Sequence, residues 1–462
     1  MAETEGKGAS PWLYDVSSNE GDESFDASFE LELPKLDDRQ PQSPEYRGQY
    51  WSKRTQLKWT LTLFVGCALA YASRTSISIA SVAISKELGW DKRLSGMVMS
   101  SFFCGYILTQ VFGGVLADRY GGDWMLFLSG ITWATCTLLL PLMDVIPVID
   151  LMPPTAGIMV ARGMAGIAQG VHFPAFSSLL SKRVPVDSRS STFTFSASGT
   201  MIGTVFSGFV GSFLLEHSGW RSLFLVIGTV SVLWAGILYF FIWQDRQNLP
   251  TPEETIGIVK EEPMPWLKLI WHKSFWALMV LGGCESWIFM NLLSWMPTYF
   301  HEEFPKSKGW LFNVIPWIAC FVSQNICGVL ADRMISSGVS ITKVRKFFVN
   351  ISLLPPVGLC LLLQKATSFE MALILMSMVL ASMGCITPGL GMNCQDLAPR
   401  HTGSMFGTMN TVAALTGTLG VYVTGHILHT TNQWAHIFQM TSFLALLGSV
   451  TFTLFGTGKA IV

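Results

Sequence analysis

Charge is scarce in this sequence and unevenly spread. Only 13% of the 462 residues are Asp, Glu, Lys or Arg, about half the proportion of an ordinary soluble domain. Half of the residues are hydrophobic. Cys-x-x-Cys pairs are absent. The nine cysteines all lie in or beside apolar runs and read as reduced packing residues rather than disulfides or metal ligands. No Walker loop, hydrolase triad or zinc motif is present, which argues against an ATP-driven pump or an enzyme, and no cofactor is expected. The chain does not open on a basic stretch followed by a short apolar core, so no cleaved signal peptide is expected. Residues 1–45 instead hold 12 of the 31 acids, with Ser, Gly and Pro between them. Residues 1–50 therefore read as a disordered acidic tail.

What the chain does have is long apolar runs. A membrane span needs about 20 mostly apolar residues. Twelve candidates are centred near residues 70, 105, 133, 168, 203, 231, 287, 319, 354, 379, 414 and 444. The first, from about Trp59, reads as an uncleaved signal anchor. The loops are short except for the polar segment 244–271. It separates an expected six-helix bundle at 51–243 from a second at 272–458. The fold class expected is an all-α membrane protein of two pseudo-symmetric six-helix bundles. Basic residues bias the orientation. Thirteen lie in loops after even-numbered spans and seven in the opposite loops, which places both termini and the central loop in the cytoplasm.

One six-residue word occurs twice. Gly-Val-Leu-Ala-Asp-Arg stands at Gly114–Arg119 and again at Gly328–Arg333, 214 residues later. Gln110 and Gln324 hold the same register four residues before each copy. Two matching halves with a charged pair at the same place point to a transporter built from repeats. Asp118 and Asp332 can cap a neighbouring helix or bond an arginine of the facing bundle. Gly114, Asp118, Arg119, Gly121, Asp332 and Arg333 are accordingly expected to gate the cytoplasmic side.

Of thirty Lys and Arg, two read as lying inside spans: Arg74 in span 1 and Arg162 in span 4. A charge at mid-bilayer costs at least ~2.5–3.5 kcal/mol. The two arginines can line a central cavity and grip an anion by paired hydrogen bonds, or snorkel to an interface. Glu285, the one acid read inside a span, follows Gly282-Gly283. It is a proton or cation site, the partner of an arginine across the cavity, or a solvated span-end residue. Tyr106, Phe173 and Trp287, with Tyr71 and Tyr299, can stack a planar ligand. Span aromatics more often serve packing.

The pattern Gly114-x-Leu-x-Asp-Arg-x-Gly121 resembles the signature between spans 2 and 3 of the major facilitator superfamily, with its echo at Gly328–Arg333. Finer features resemble the anion-transporting solute carrier 17 family: Ser101–Gln110, Arg162 with Gly170–Ala175, Asn393–Pro399, and Arg74. Within it, Gln169–Ala175, Leu292–Phe300 and Lys308–Trp317 are most similar to the nucleotide-carrying vesicular branch. Three departures are informative. Gln169 stands where glutamate- and sialic-acid-carrying relatives have a glutamate, so proton coupling through that position is lost. Met99 replaces a histidine of the glutamate carriers, and Glu285 replaces their arginine.

The resemblance implies a transporter that loads anionic nucleotides, chiefly ATP, into secretory vesicles or lysosomes by alternating access. Arg74 and Arg162 would hold phosphates, while Gln169, Glu285 and the aromatics would line the site. The driving force would be the potential made by a vesicular proton pump, with chloride as an activator for which the sequence offers no recognisable site. The partners expected are a nucleotide anion and the lipid bilayer, with no nucleic acid, and the chain is expected to be a monomer. The alternatives are a proton-coupled carrier of organic anions or phosphate with Glu285 as proton site, a non-transporting receptor or scaffold, and an ion channel.

Overall fold

A computed structural model describes residues 50–90, 92–143, 154–247, 264–305 and 309–462. The expected acidic tail and most of the central loop, 248–263, lie outside the described residues. The described chain is helical throughout. The helices are α1 (Lys53–Leu88), α2 (Lys92–Tyr120), α3 (Gly122–Leu139), α4 (Pro154–Arg183), α5 (Val186–Gln247), α6 (Trp266–Ile270), α7 (Lys273–Glu303), α8 (Gly309–Ser336), α9 (Ile341–Leu363), α10 (Phe369–Gly384), α11 (Thr387–Leu397), α12 (Thr402–Thr431) and α13 (Trp434–Phe455).

The ends of these helices follow from local chemistry. Ser52 caps α1 by accepting from the Thr55 backbone N–H. Gly89, at φ 70°, ends it in the left-handed conformation that glycine adopts without strain. Gly219, at φ 76°, kinks α5, which contains two spans, Val186–Gly211 and Phe213–Asp245. α10 and α11 together make one span, Phe369–Leu397.

Among the described residues, eleven segments are long and apolar enough to cross a membrane. The twelfth expected span is α4, a helix of 30 residues. Its length suffices, but Arg162, Gln169, His172, Ser177 and Ser178, all buried, dilute its apolar character. Large apolar side chains such as Phe112, Phe209, Leu233, Phe443 and Leu454 are exposed, as lipid-facing surfaces require.

In the first bundle α1 packs on α5, α2 on α4, and α3 on both α4 and α5. In the second, α7 packs on α12 and α13, α8 on α10, and α9 on α10 and α13. The bundles meet through α2 against α12 and α5 against α8, so equivalent helices make equivalent contacts. A clamp ties the ends of the first bundle together. The indoles of Trp51 and Trp59, stacked 4.9 Å apart, both donate to Asp245 Oδ2 at 3.1 and 2.7 Å.

The structure corrects two sequence expectations: that Arg345 is a loop cation, and that Glu285 is the one acid inside a span. Arg345 is only 2% exposed within α9 and pairs with the buried Asp396 of α11, Nε to Oδ2 at 2.6 Å and Nη2 to Oδ1 at 3.2 Å. Arg345 also donates to the Pro388 carbonyl at 3.0 Å. Its position in the first turns of a helix mimics a stop-transfer charge, while its side chain points inward to a partner 51 residues away.

Candidate functional site

The duplicated residues lie where the bundles meet. Asp118 accepts from the backbone N–H groups of Gly403 and Ser404 at 2.9 and 2.8 Å and from the Ser404 hydroxyl at 2.8 Å. His401, the N-cap residue of α12, supplies no side-chain cap, so Asp118 caps that helix from the other bundle. Ser178 also donates to Asp118, at 2.8 Å. Asp332 does the mirror task, accepting from Ser190 and Ser191 N–H near the start of α5 at 3.0 and 2.7 Å. A carboxylate on helix N–H groups is favoured by charge and by the helix dipole.

The glycine that opens each word allows this approach. A Cβ on Gly114 would overlap the Gly403 carbonyl oxygen, and one on Gly328 would overlap Thr194 Oγ1. The glutamine four residues earlier completes the pattern. Gln110 accepts from Asn410 of α12, and Gln324 donates to the Thr194 carbonyl of α5 at 3.3 Å. Gly121, at φ 99°, makes the turn into α3. Arg119 and Arg333 are exposed, and Arg119 stands over the Tyr120 ring. The aspartates, rather than the arginines, bridge the bundles.

The two span arginines come together in the first bundle. Arg74 of α1 and Arg162 of α4 each place their guanidinium carbon 4.9 Å from the centre of the Phe102 ring. Arg74 also lies over Tyr71 at 4.6 Å and Tyr106 at 4.5 Å. Arg162 is 3% exposed. Its Nε and that of Arg74 are buried without a partner, and neither guanidinium meets a carboxylate among the described residues. Cation–π contact offsets part of the cost of holding two like charges, one of them buried, around one ring.

Helix packing explains how α4 brings its arginine so close. A Cβ on Gly166 or Gly170 would overlap the carbonyl oxygens of Phe102 or Tyr106, so α2 and α4 touch backbone to backbone. Thr109 and Ser129 hydroxyls clamp the Ile167 and Ala168 carbonyls at 2.7 and 2.8 Å. Gln169 Oε1 accepts from Arg74 Nη2 at 3.3 Å, while its Nε2 donates to the Ala70 carbonyl at 3.1 Å. Gln169 thus positions Arg74. The Tyr106 hydroxyl accepts from Asn410 Nδ2 at 3.1 Å, linking the arginine site to the opposite bundle.

The other expected residues divide. Phe173 meets Tyr71 edge to face at 6.2 Å and belongs to the arginine site. Trp287 packs on Gly420 of α12, and Tyr299 lies in an aromatic cluster with Trp434 and Phe438. Glu285 is half-buried in α7, makes no hydrogen bond or ion pair among the described residues, and lies within electrostatic reach of Tyr71 and Cys320. It is therefore not the salt-bridge partner of an arginine. Sequence reasoning reaches His172 only as part of the Gly170–Ala175 motif. It is buried with both ring nitrogens unpartnered, one turn from Gln169, and its place in α4 is the one signal that marks it.

The sequence matches the Major Facilitator Superfamily over residues 63–421. It is 37% identical over 419 residues to the mouse (Mus musculus) "Voltage-gated purine nucleotide uniporter SLC17A9", covering 89% of this chain and 92% of that one. Similarity extends to the Arabidopsis thaliana "Sodium-dependent phosphate transport protein 1, chloroplastic" (34%, covering 89% and 81%) and "Ascorbate transporter, chloroplastic" (32%, covering 89% and 77%). Among solved structures, the proton:xylose symporter XylE superposes with a TM-score of 0.70 at 14% identity, covering 88% of this chain and 98% of that one.

Proposed function

The chain belongs to the Major Facilitator Superfamily as a multi-pass, solute carrier 17-like anion transporter rather than an enzyme, and on that footing we propose that it carries anionic purine nucleotides, ATP among them, by alternating access driven by membrane potential. The observation that carries this reading is the pair of guanidiniums, half-buried Arg74 and buried Arg162, around one phenyl ring with no carboxylate to neutralise them among the described residues. A polyphosphate supplies the missing charge and several acceptor oxygens for two arginine forks. The flanking Tyr71, Tyr106 and Phe173 give apolar faces for a base.

Gln169, where a proton-coupled relative would carry an acid, cannot release a proton. On this reading the energy source is charge. Each elementary charge gains ~2.3 kcal/mol per 100 mV. A nucleotide with about four negative charges would gain ~9 kcal/mol per 100 mV, enough for steep accumulation in a compartment held positive inside. Chloride would act as an activator and a vesicular proton pump as the source of the potential, with secretory vesicles or lysosomes as the site of action.

The Asp118 and Asp332 bonds would close the cytoplasmic side while the arginine site opens to the lumen, and the bundles would rock about Tyr106 and Asn410. The termini and central loop would be cytoplasmic and the protein a monomer. A competition assay in reconstituted vesicles, with nucleotides set against phosphate, ascorbate, glutamate and sialic acid, tests the substrate class. Nucleotides are expected to compete best. Competition by phosphate or ascorbate alone would favour the reading shared with the plant relatives.

A further inference from the structure

The central site is electrically lopsided. Its positive end, Arg74 and Arg162, belongs to the first bundle. Near it stands Glu285 of the second bundle, half-buried and without a hydrogen bond or ion pair among the described residues. Tyr71 connects the two ends: its ring lies 4.6 Å from the Arg74 guanidinium carbon, and it is within electrostatic reach of Glu285. The other faces of α7 are occupied, since Gly283 and Trp287 pack on Thr416 and Gly420 of α12 and Cys284 packs on Gly448 of α13. Glu285 is therefore left with the inter-bundle space.

An acid so placed needs donors, because an unpaired buried carboxylate is costly. The arginines cannot supply them without giving up the anion for which they are arranged. A ligand that spans the site would supply both: a phosphate end for the guanidiniums and an N–H-bearing end for the carboxylate. A carboxylate is acceptor-only, with two parallel oxygens. It matches an edge bearing two adjacent N–H donors. Guanine has that edge, in N1–H and the exocyclic N2 amino group. Adenine sets one amino donor beside a bare ring nitrogen, whose lone pair would face the second carboxylate oxygen.

We propose that Glu285 is a specificity-determining residue that reads the Watson–Crick edge of the nucleobase and favours guanine over adenine nucleotides. The inference rests on the nucleotide reading above. It concerns relative affinity, so ATP can remain the main cargo wherever it is the more abundant nucleotide.

The test is competitive uptake of GTP, ITP and ATP by the wild type and by Glu285→Gln, reconstituted at one clamped potential. Inosine keeps N1–H and lacks the N2 amine. One well-made bidentate base contact discriminates by roughly tenfold or more. The wild type is expected to prefer GTP over ATP by about that factor, with ITP between them. The amide introduced by Glu285→Gln offers both a donor and an acceptor, which suits adenine, so the variant should abolish or invert the preference. Inhibition by inorganic tripolyphosphate, which has no base, should not weaken in the variant and reports that its arginine end is intact. Wild-type uptake of ATP equal to or better than GTP overturns the proposal, as does a ratio unchanged by Glu285→Gln. If the wild type carries no nucleotide, the nucleotide reading falls and takes this one with it. Nucleotide uptake with an unaltered base ratio sinks only the role of Glu285.

Discussion

Asp118 and Ser404 are 286 residues apart in sequence and joined by two hydrogen bonds of 2.8 Å, one to the Ser404 backbone and one to its hydroxyl. The carboxylate belongs to the first bundle and the helix it caps to the second. Hydrogen bonds to a charged group are worth about 1.5–3 kcal/mol each. Asp118→Asn should therefore shift the conformational balance toward opening on this face. Alkylation of a cysteine placed at Ser177, beside the bundle interface, should speed up about tenfold or more, as a loss of one such bond implies. An unchanged alkylation rate would remove Asp118 from the latch.

The two word-opening glycines should respond differently to repair. A methyl at Gly114 meets backbone, the Gly403 carbonyl, whereas one at Gly328 first meets the Thr194 hydroxyl. Both Gly114→Ala and Gly328→Ala should depress transport. Adding Thr194→Ala should restore the second. No single side-chain truncation should restore the first. Transport rates of the single and double variants, corrected for surface amount, check this.

The Arg345–Asp396 pair should behave as a buried ion pair. Removing one partner strands a charge and costs about 3–5 kcal/mol, whereas replacing both with apolar residues costs far less. Arg345→Met and Asp396→Leu singly should lower the unfolding temperature in detergent more than the double variant does. A double variant as unstable as the sum of the singles would contradict the account.

At the opposite face Glu87 binds Arg221 at 2.7 Å and accepts from the Trp220 indole at 2.7 Å. The Arg221 hydrogen bond foremost, then that of Trp220, holds the Glu87 carboxyl below the usual carboxylate range. A group whose folded value is lowered stabilises the fold above its unfolded value and loses that contribution as pH falls through the lowered one. The clamp should thus persist at pH 5.5 and fail only below the ordinary carboxylate range. Glu87→Gln should lower thermal stability equally at pH 7 and 5.5, with the difference vanishing at lower pH.

Much of this was legible in the sequence because repetition and scarcity are strong signals. The duplicated Gly, Asp and Gln marked the inter-bundle contacts, since equivalent residues in two halves meet equivalent neighbours. Arg74 and Arg162 were visible because a cation is rare in an apolar run. Arg345 was hidden by its place near a helix start, where a pairing residue and a stop-transfer charge look alike. The division of labour within Asp-Arg was also hidden. Adjacent helical residues point about 100° apart, so one faces the other bundle while the next faces outward. Trp287 looked like Phe173 in sequence, and only packing on Gly420 separated them.

The central claim is that two unneutralised arginines hold a polyvalent anion moved by potential. Its most direct measurement is nucleotide uptake by reconstituted vesicles with the potential clamped positive inside and no pH gradient. The wild type should accumulate ATP, and Arg162→Ala, folded by its unfolding temperature, should lose uptake. Normal uptake by Arg162→Ala, or wild-type uptake that requires a pH gradient at fixed potential, would contradict the account.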